Sequence, residues 1–163
     1  MSGPPLRGRP IRESRSEYTQ VTLPSDANIL GNVSGGHIMQ LIDLSCGLAA
    51  KRHSRRHVVT ASLDCLSFLH PVRVGQVLIL KSSVNRVFHS SMEVGVKVWV
   101  EDINTGEVHL TASAYLTFVA LDENGKPVAV PPVLPETPEE QRRFEEAGRR
   151  RLDRLRGRQQ ELS

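Results

Sequence analysis

The sequence predicts an α+β domain: one long central helix wrapped by a curved antiparallel sheet of about five strands, followed by a C-terminal helix. Three observations carry this reading. Residues 36–52, GHIMQLIDLSCGLAAKR, form the one strong helical signal in the body, with apolar residues around almost the whole circumference, as expected of a helix buried on most sides. Consecutive strand-like segments then follow with no further helix between them, which rules out a doubly wound parallel sheet. One helix cannot cover both faces of such a sheet, but it can lie along one concave face if the sheet curls around it.

The elements follow in chain order. Residues 1–15, rich in Pro, Arg and Gly, are expected to form a mobile arm. The stretch SEYTQVTL (16–23) has the β-branched and aromatic content of a strand, closed by Pro24. A polar, glycine-punctuated loop leads to the helix, which at 17 residues spans roughly 25 Å. VVTASLDCLSFL (58–69) and VLILKSSVNRVF (77–88) read as strands separated by a turn through His70-Pro71 and Val74-Gly75. In 92–100, Met92, Val94, Val96, Val98 and Val100 alternate with Glu93, Gly95, Lys97 and Trp99, the period of two of a half-buried strand. Asn104-Thr105-Gly106 makes a hairpin turn into a long strand over 108–121. Beyond Pro138 the composition is that of a solvated, charged helix. The expected organisation is therefore an arm (1–15), one domain (16–135) and a charged helix or tail (136–163).

Charge narrows the function. The net charge of +3 on 163 residues resides at the ends: four Arg against two Glu in 1–20, eight basic against seven acidic in 136–163, and nine of each between. A neutral body, in a chain with only seven aromatics, offers no basic groove and little base-stacking surface, so no nucleic-acid partner is expected. The first 20 residues have no apolar core of a secretory signal, and the longest charge-free run, 27–42, is too short and too polar to span a bilayer. Two cysteines are too few for a disulfide framework; Cys46 and Cys65 are expected as small buried hydrophobes of a cytoplasmic protein without membrane contact.

One residue contradicts the logic of a core helix. Asp43 is the only charge between His37 and Ala50, and an unpaired buried carboxylate costs several kcal/mol. On a helical wheel it shares a face with Gly36, Met39, Gln40, Gly47 and Ala50, while Ile38, Leu41, Ile42, Leu48 and Ala49 form the apolar face. Asp43 is thus a candidate for a chemical task in a cleft, although position alone fits equally a structural aspartate that caps a loop or pairs with an Arg. Gly35 and Gly36 open the helix, where free N–H groups and the positive end of the dipole favour a carbonyl or oxyanion. Asn28 lies in the preceding polar loop, and loop geometry is the default role for such a residue. It becomes chemically interesting only if it meets Asp43, which a symmetric dimer allows more readily than one chain.

Other constellations are weaker. His53 and His57 flank Arg55 and Arg56, whose charge repels a cation, so no metal is expected. GNVSGG is neither a dinucleotide fingerprint nor a phosphate loop, and HExxH, CxxC and GxSxG are absent. Cys46 inside a helix, with no fixed His beside it, is a poor nucleophile. The arginines at 149–151, 154, 156 and 158 read as a solvated helix face that could also hold an anionic ligand or a partner subunit.

The stretch DANILGNVSGGHIMQLID (26–43) resembles the signature of the hot-dog-fold acyl-CoA thioesterases, the cytosolic acyl-coenzyme A hydrolase group. The likeness continues through HPVRVGQVLILKSSVNRVFHSSMEVGVKVW (70–99), INTGE (103–107) and VPP before the charged helix, covering roughly residues 16–155. It implies hydrolysis of fatty acyl-CoA to fatty acid and CoA, without metal or cofactor other than the CoA of the substrate. It also implies a site shared across a dimer, with Asp43 as general base and Asn28 of the opposite subunit positioning water or thioester. Gly35 and Gly36 would polarise the thioester carbonyl. His89, Ser90 and Ser91 fall where related proteins bind the nucleotide end of CoA, His89 standing where Arg or Lys is usual. Dimers of this family often assemble into trimers of dimers, a hexamer. The resemblance leaves two rivals: a non-catalytic acyl-CoA-binding regulator, and a dehydratase of the same fold, which would need a His beside the helix start.

Overall fold

The computed structural model describes residues 4–163. Its elements are β1 (Arg9–Pro10), β2 (Ser16–Val21), α1 (Gly35–Ser54), β3 (His57–Phe68), β4 (Val77–Val87), β5 (Ser91–Glu101), β6 (Val108–Leu121), β7 (Val133–Leu134) and α2 (Pro138–Glu161). Five strands form one antiparallel sheet in the order β2-β4-β5-β6-β3. The sheet is open, with β2 and β3 as its edges. The expected α+β, hot-dog architecture therefore stands, with α1 packed along one face.

The alternation in β5 sets the two faces. Met92, Val94, Val96, Val98 and Val100 are buried and join Leu78, Leu80 and Val84 of β4 and Ala112, Ala114, Leu116 and Phe118 of β6 in one core under α1. From the helix come Ile38, Leu41, Ile42, Cys46, Ala49 and Ala50. Ser34 caps α1 by accepting the His37 N–H, and Arg55, in a left-handed conformation, ends it. The helix is buried on one side only. Met39, Leu44 and Leu48 are exposed at 41%, 62% and 43%, because the sheet covers a single face of α1. Leu48 thus leaves the apolar face assigned to it from the wheel, and Ala50 joins the core.

The arm expected over 1–15 is packed in its second half. Arg9–Pro10 pairs in parallel with Val133–Leu134, and a 3-10 turn over Ile11–Ser14 follows. Ile11 is buried against the core. Ser14 is buried because β4 runs past the start of β2, and its hydroxyl accepts the Val84 N–H at 2.9 Å that no neighbouring strand reaches. A buried backbone donor without a partner would cost about 1–3 kcal/mol. Met1–Gly3 of that arm lie outside the described residues.

α2 is also not a solvated helix. Thr137 caps it, Pro138 occupies its first turn, and its own Glu140 and Ala147 are buried. It crosses the outer face of the sheet, where Glu93, read from the alternation as a solvent position, is 1% exposed. Arg150 of α2 donates to both Glu93 oxygens, Nε to Oε2 at 3.1 Å and Nη2 to Oε1 at 2.7 Å. Asn85 Nδ2 adds a third bond at 3.0 Å. Burial works against the Arg150 charge, but Glu93 outweighs it and holds the guanidinium protonated beyond its ordinary range. The same guanidinium stacks on Tyr115, 3.6 Å from the ring centroid. Arg154 pairs with Asp64 at 2.8 Å. No helix among the described residues is long and apolar enough to cross a membrane.

His53, expected as no more than a weak ligand, is instead a buried structural group. Its Nε2 donates to the Pro131 carbonyl at 2.7 Å, and Nδ1 is buried without a partner among the described residues. Burial pushes its pKa down, opposed by the Pro131 carbonyl and assisted by the Arg9 charge.

Two predictions follow from these contacts. Glu93→Ala leaves Arg150 without its carboxylate and is expected to lower the unfolding free energy by about 2–3 kcal/mol. Urea unfolding checks this, and the double variant with Arg150→Ala should cost less than the sum of the singles. Because His53 binds its proton less readily folded than unfolded, its contribution to stability is complete above the unfolded value near 6.5 and declines as pH falls below it. The urea midpoint should therefore drop between about pH 7 and pH 5, and His53→Gln, which keeps the donor to Pro131, should flatten that slope.

Candidate active site

Asn28 sits in the loop between β2 and α1, and the loop closes on itself. Its N–H donates to the Asn32 carbonyl at 2.7 Å, and its carbonyl accepts from Gly31, whose φ of +80° suits glycine. The side-chain Oδ1 accepts two backbone donors, Leu30 N at 2.9 Å and Asn32 N at 3.2 Å. These donors need an oxygen, so they fix the amide orientation and leave Nδ2 as the outward end. Further bonds run from Val33 N to Val72 O and from Ser34 N to Asp26 O, tying the loop toward the β3–β4 connection. His37 holds its other side, with Nε2 3.0 Å from Gln20 Oε1 and Nδ1 3.6 Å from Asp26 Oδ1.

The loop borders a cavity of about 280 Å³ lined by Asn28, Asn32, Gly35, Ile38, Phe68 and His70 among others. Gly35 and Gly36 occupy the first turn of α1 behind the Ser34 cap, where backbone N–H groups have no partner inside the helix. A Cβ at Gly36 would meet nothing within 4 Å, and one at Gly35 would touch the Phe68 ring at 3.6 Å. This half of the site is made of hydrogen-bond donors: the Asn28 amide and the helix start, with its positive dipole end.

The acceptor half lies elsewhere. Asp43 is eight residues beyond Gly35, roughly 12 Å along the axis, and it does not line the Asn28 cavity. In the single chain Asp43, expected in a cleft, is exposed on the outer side of α1. Its Oδ1 accepts a 2.6 Å hydrogen bond from Thr60 Oγ1 on the edge strand β3. Register shifts interrupt the β3–β6 pairing between Thr60 and Ser62 and again between Asp64 and Ser67. Such a bulge beside Thr60 changes the side-chain direction along the strand. Thr60 was not visible from sequence, where it is one β-branched residue among several in VVTAS and only the bulge distinguishes it.

The remaining expected site residues form a third group. His89 and Ser90 lie in the turn between β4 and β5, Ser91 opens β5, and none of the three lines the Asn28 cavity. His89 has φ +94°, a strained value for a residue with a Cβ, and its carbonyl accepts from Val130. Ser91 Oγ accepts from Arg151 Nη1 at 3.2 Å, and the Arg151 guanidinium lies 4.6 Å from the Phe88 ring centroid. A cation thus stands beside Ser91, supplied from α2 by one of the arginines noted in the sequence. Cys46 is fully buried, and burial followed by the Asp43 charge drives its thiol pKa far upward, so it is inert as a nucleophile. Cys65, expected to be buried, is exposed with φ +53° at the second bulge of β3. Among the described residues no three His, Cys, Asp or Glu side chains converge as a metal site.

A long helix laid along one face of an open five-stranded antiparallel sheet is the hot-dog architecture. The chain belongs to the thioesterase superfamily, whose family model matches residues 30–107, and within it to the acyl-CoA thioester hydrolases. It is 48% identical over 129 residues to an uncharacterized acyl-CoA thioester hydrolase of Bacillus subtilis, covering 79% of this chain and 75% of that one. The crystal structure of an apo-hexameric acyl-CoA thioesterase superposes with a TM-score of 0.90 at 40% identity, covering 93% of this chain and 97% of the other. An acyl-CoA hydrolase of Staphylococcus aureus, solved with butyryl coenzyme A, coenzyme A and coenzyme A disulfide, matches with a TM-score of 0.86 at 36% identity, over 94% and 93% of the two chains. Further structures of that hydrolase carry alanine in place of an aspartate, an asparagine or a threonine.

Proposed function

We propose that this protein hydrolyses acyl-CoA thioesters at a site completed by two copies of the chain. The observation that carries the proposal is the separation of complementary halves: donors at Asn28, Gly35 and Gly36, and the Asp43–Thr60 carboxylate on the other side of α1. Asp43 takes a proton from water, whose oxygen attacks the thioester carbon. The N–H groups of Gly35 and Gly36 of the partner subunit, with the Nδ2 of Asn28 of the partner subunit, donate to the oxygen as it gains charge. Collapse breaks the C–S bond, and the proton held by Asp43 passes to the leaving thiolate. The products are a carboxylic acid and CoA. Thr60 holds one carboxylate oxygen and leaves the other for water. No metal or bound cofactor takes part.

The exposed side of α1 and the unpaired outer edge of β3 support the dimer. A 12-residue edge strand presents an unpaired backbone row, and Val59, Leu63, Met39 and Leu44 are exposed on it or on the helix beside it. Antiparallel pairing of β3 with its copy would extend the sheet and bring each Asp43 against the other chain. The dimers then assemble as a trimer of dimers, in keeping with the hexameric relative. His89, Ser90 and Ser91, backed by Arg151, receive the phosphates of CoA. The shared chemistry of the relatives, thioester hydrolysis, favours catalysis over a non-catalytic acyl-CoA regulator or a dehydratase.

Thiol release from acyl-CoAs of increasing length measures the activity and its chain preference. Asp43→Ala and Asn28→Ala should each lose about a hundredfold or more. Mixed under conditions of subunit exchange, the two inactive variants should regain roughly a quarter of wild-type activity, since half the dimers are mixed and each holds one intact site. No recovery under confirmed exchange refutes the shared site, and tight acyl-CoA binding without release identifies a regulator. Thr60→Val should lower kcat by about ten- to a hundredfold with KM little changed, and Thr60→Ser should stay near wild type.

A further inference from the structure

α2 covers only part of the outer face of the sheet. Beside it lies a cavity of about 720 Å³, larger than the Asn28 cavity and floored by strand residues that face away from α1. Its construction follows from strand register. Lys81 of β4 and Lys97 of β5 are direct cross-strand partners, and Ser113 of β6 completes the row. Both lysines are exposed and line the cavity. Like charges directly opposite in a sheet repel and destabilise the pair. The register also sets Glu17 of β2 opposite Lys81, yet neither lysine nor Glu17 makes an ion pair among the described residues.

The neighbouring row deepens the floor. Ser83 pairs with Gly95, and a Cβ at Gly95 would lie 2.8 Å from Asn85 Nδ2, so only glycine fits beneath that amide. Trp99 walls one end, with Lys81 Nζ 5.5 Å from its ring centroid. Arg52 and Arg143 close the rim from the two helices. Arg143 pairs with Glu139, and Arg52 donates to the Arg15 carbonyl and the Ser16 hydroxyl. Including Arg15, which pairs with Glu140, the lining holds five cationic side chains and a single carboxylate, Glu17. The volume lies in the range of small-molecule sites.

We propose that this groove binds a small, multiply charged anion of phosphate or carboxylate type, at a site separate from the thioester chemistry. The anion relieves the Lys81–Lys97 repulsion, and the small floor of Ser83, Gly95 and Ser113 lets it approach both ammonium groups. The inference does not rest on the proposed activity.

The test uses the full chain, with pyrophosphate and citrate as probes and sodium chloride at matched ionic strength as the control for screening. Calorimetric titration and thermal unfolding should show saturable binding of at least one probe, weakened about tenfold or more by Lys81→Gln and by Lys97→Gln. Preference for pyrophosphate assigns the phosphate class, preference for citrate the carboxylate class, and equal binding a general polyanion site. Both variants should fold at least as stably as wild type without a probe, because each removes the like-charge pair. Asp43→Ala should bind the probes unchanged, and KM for acyl-CoA should be unchanged in the lysine variants. Three results would overturn the proposal. The first is stabilisation no greater than that of sodium chloride. The second is a rise in KM parallel to the loss of pyrophosphate binding, which would make the groove part of the substrate site. The third is a change of oligomer size in the lysine variants with probe binding absent, which would make it a contact between copies.

Discussion

Burial of Ile38, Leu41, Ile42, Cys46, Ala49 and Ala50 against β4, β5 and β6 determines which way the rest of α1 faces. A helix has one rotational setting that satisfies such a stripe. Once it is set, Asp43 must point away from the core, toward the edge strand, and the Gly35–Gly36 turn must open beside the Asn28 loop. The separation of carboxylate from amides is therefore a geometric result of core packing and not a property of the loop. Any change that rotated α1 would displace both halves of the site together.

The outer face of the sheet obeys a different rule. There the strands carry polar residues, and α2 is held by directional bonds: Arg150 on Glu93, Arg154 on Asp64, Arg151 on Ser91. Buried ion pairs contribute little net stability compared with apolar packing, but they penalise alternative placements severely. The two helices of this chain are thus fixed by unlike means, one by area and one by charge geometry. The second leaves part of its face uncovered, and that part became the cationic groove.

The β5 alternation, the long helix and the Asp43 anomaly were all legible in the sequence because each is a local pattern of residue types. Asn28 was not, except through resemblance, since an asparagine in a polar loop looks the same whether its amide serves a turn or a substrate; here Oδ1 serves the turn and Nδ2 is left over. Thr60 depended on a bulge, which no single-strand pattern announces. Glu93 misled for a related reason. Its alternation assigned the correct face, but the solvent expected on that face is displaced by a helix 57 residues later in the chain. The packed segment 9–15 was hidden because its composition favours disorder, while its order comes from partners at Val84 and Val133.

That last contact bears on the order in which the molecule is completed. Arg9–Pro10 meets Val133–Leu134, so the ribbon joins two ends of the chain that emerge from the ribosome far apart in time. The central sheet, built largely from neighbouring hairpins, has its partners in hand by the time β6 is made. Ile11 and Ser14 have a different history: their partners lie in α1 and β4, so they can dock early, and only the β1–β7 ribbon must wait for residue 133. A nascent chain stalled before residue 133 would hold a formed sheet with Arg9 and Pro10 still unpaired.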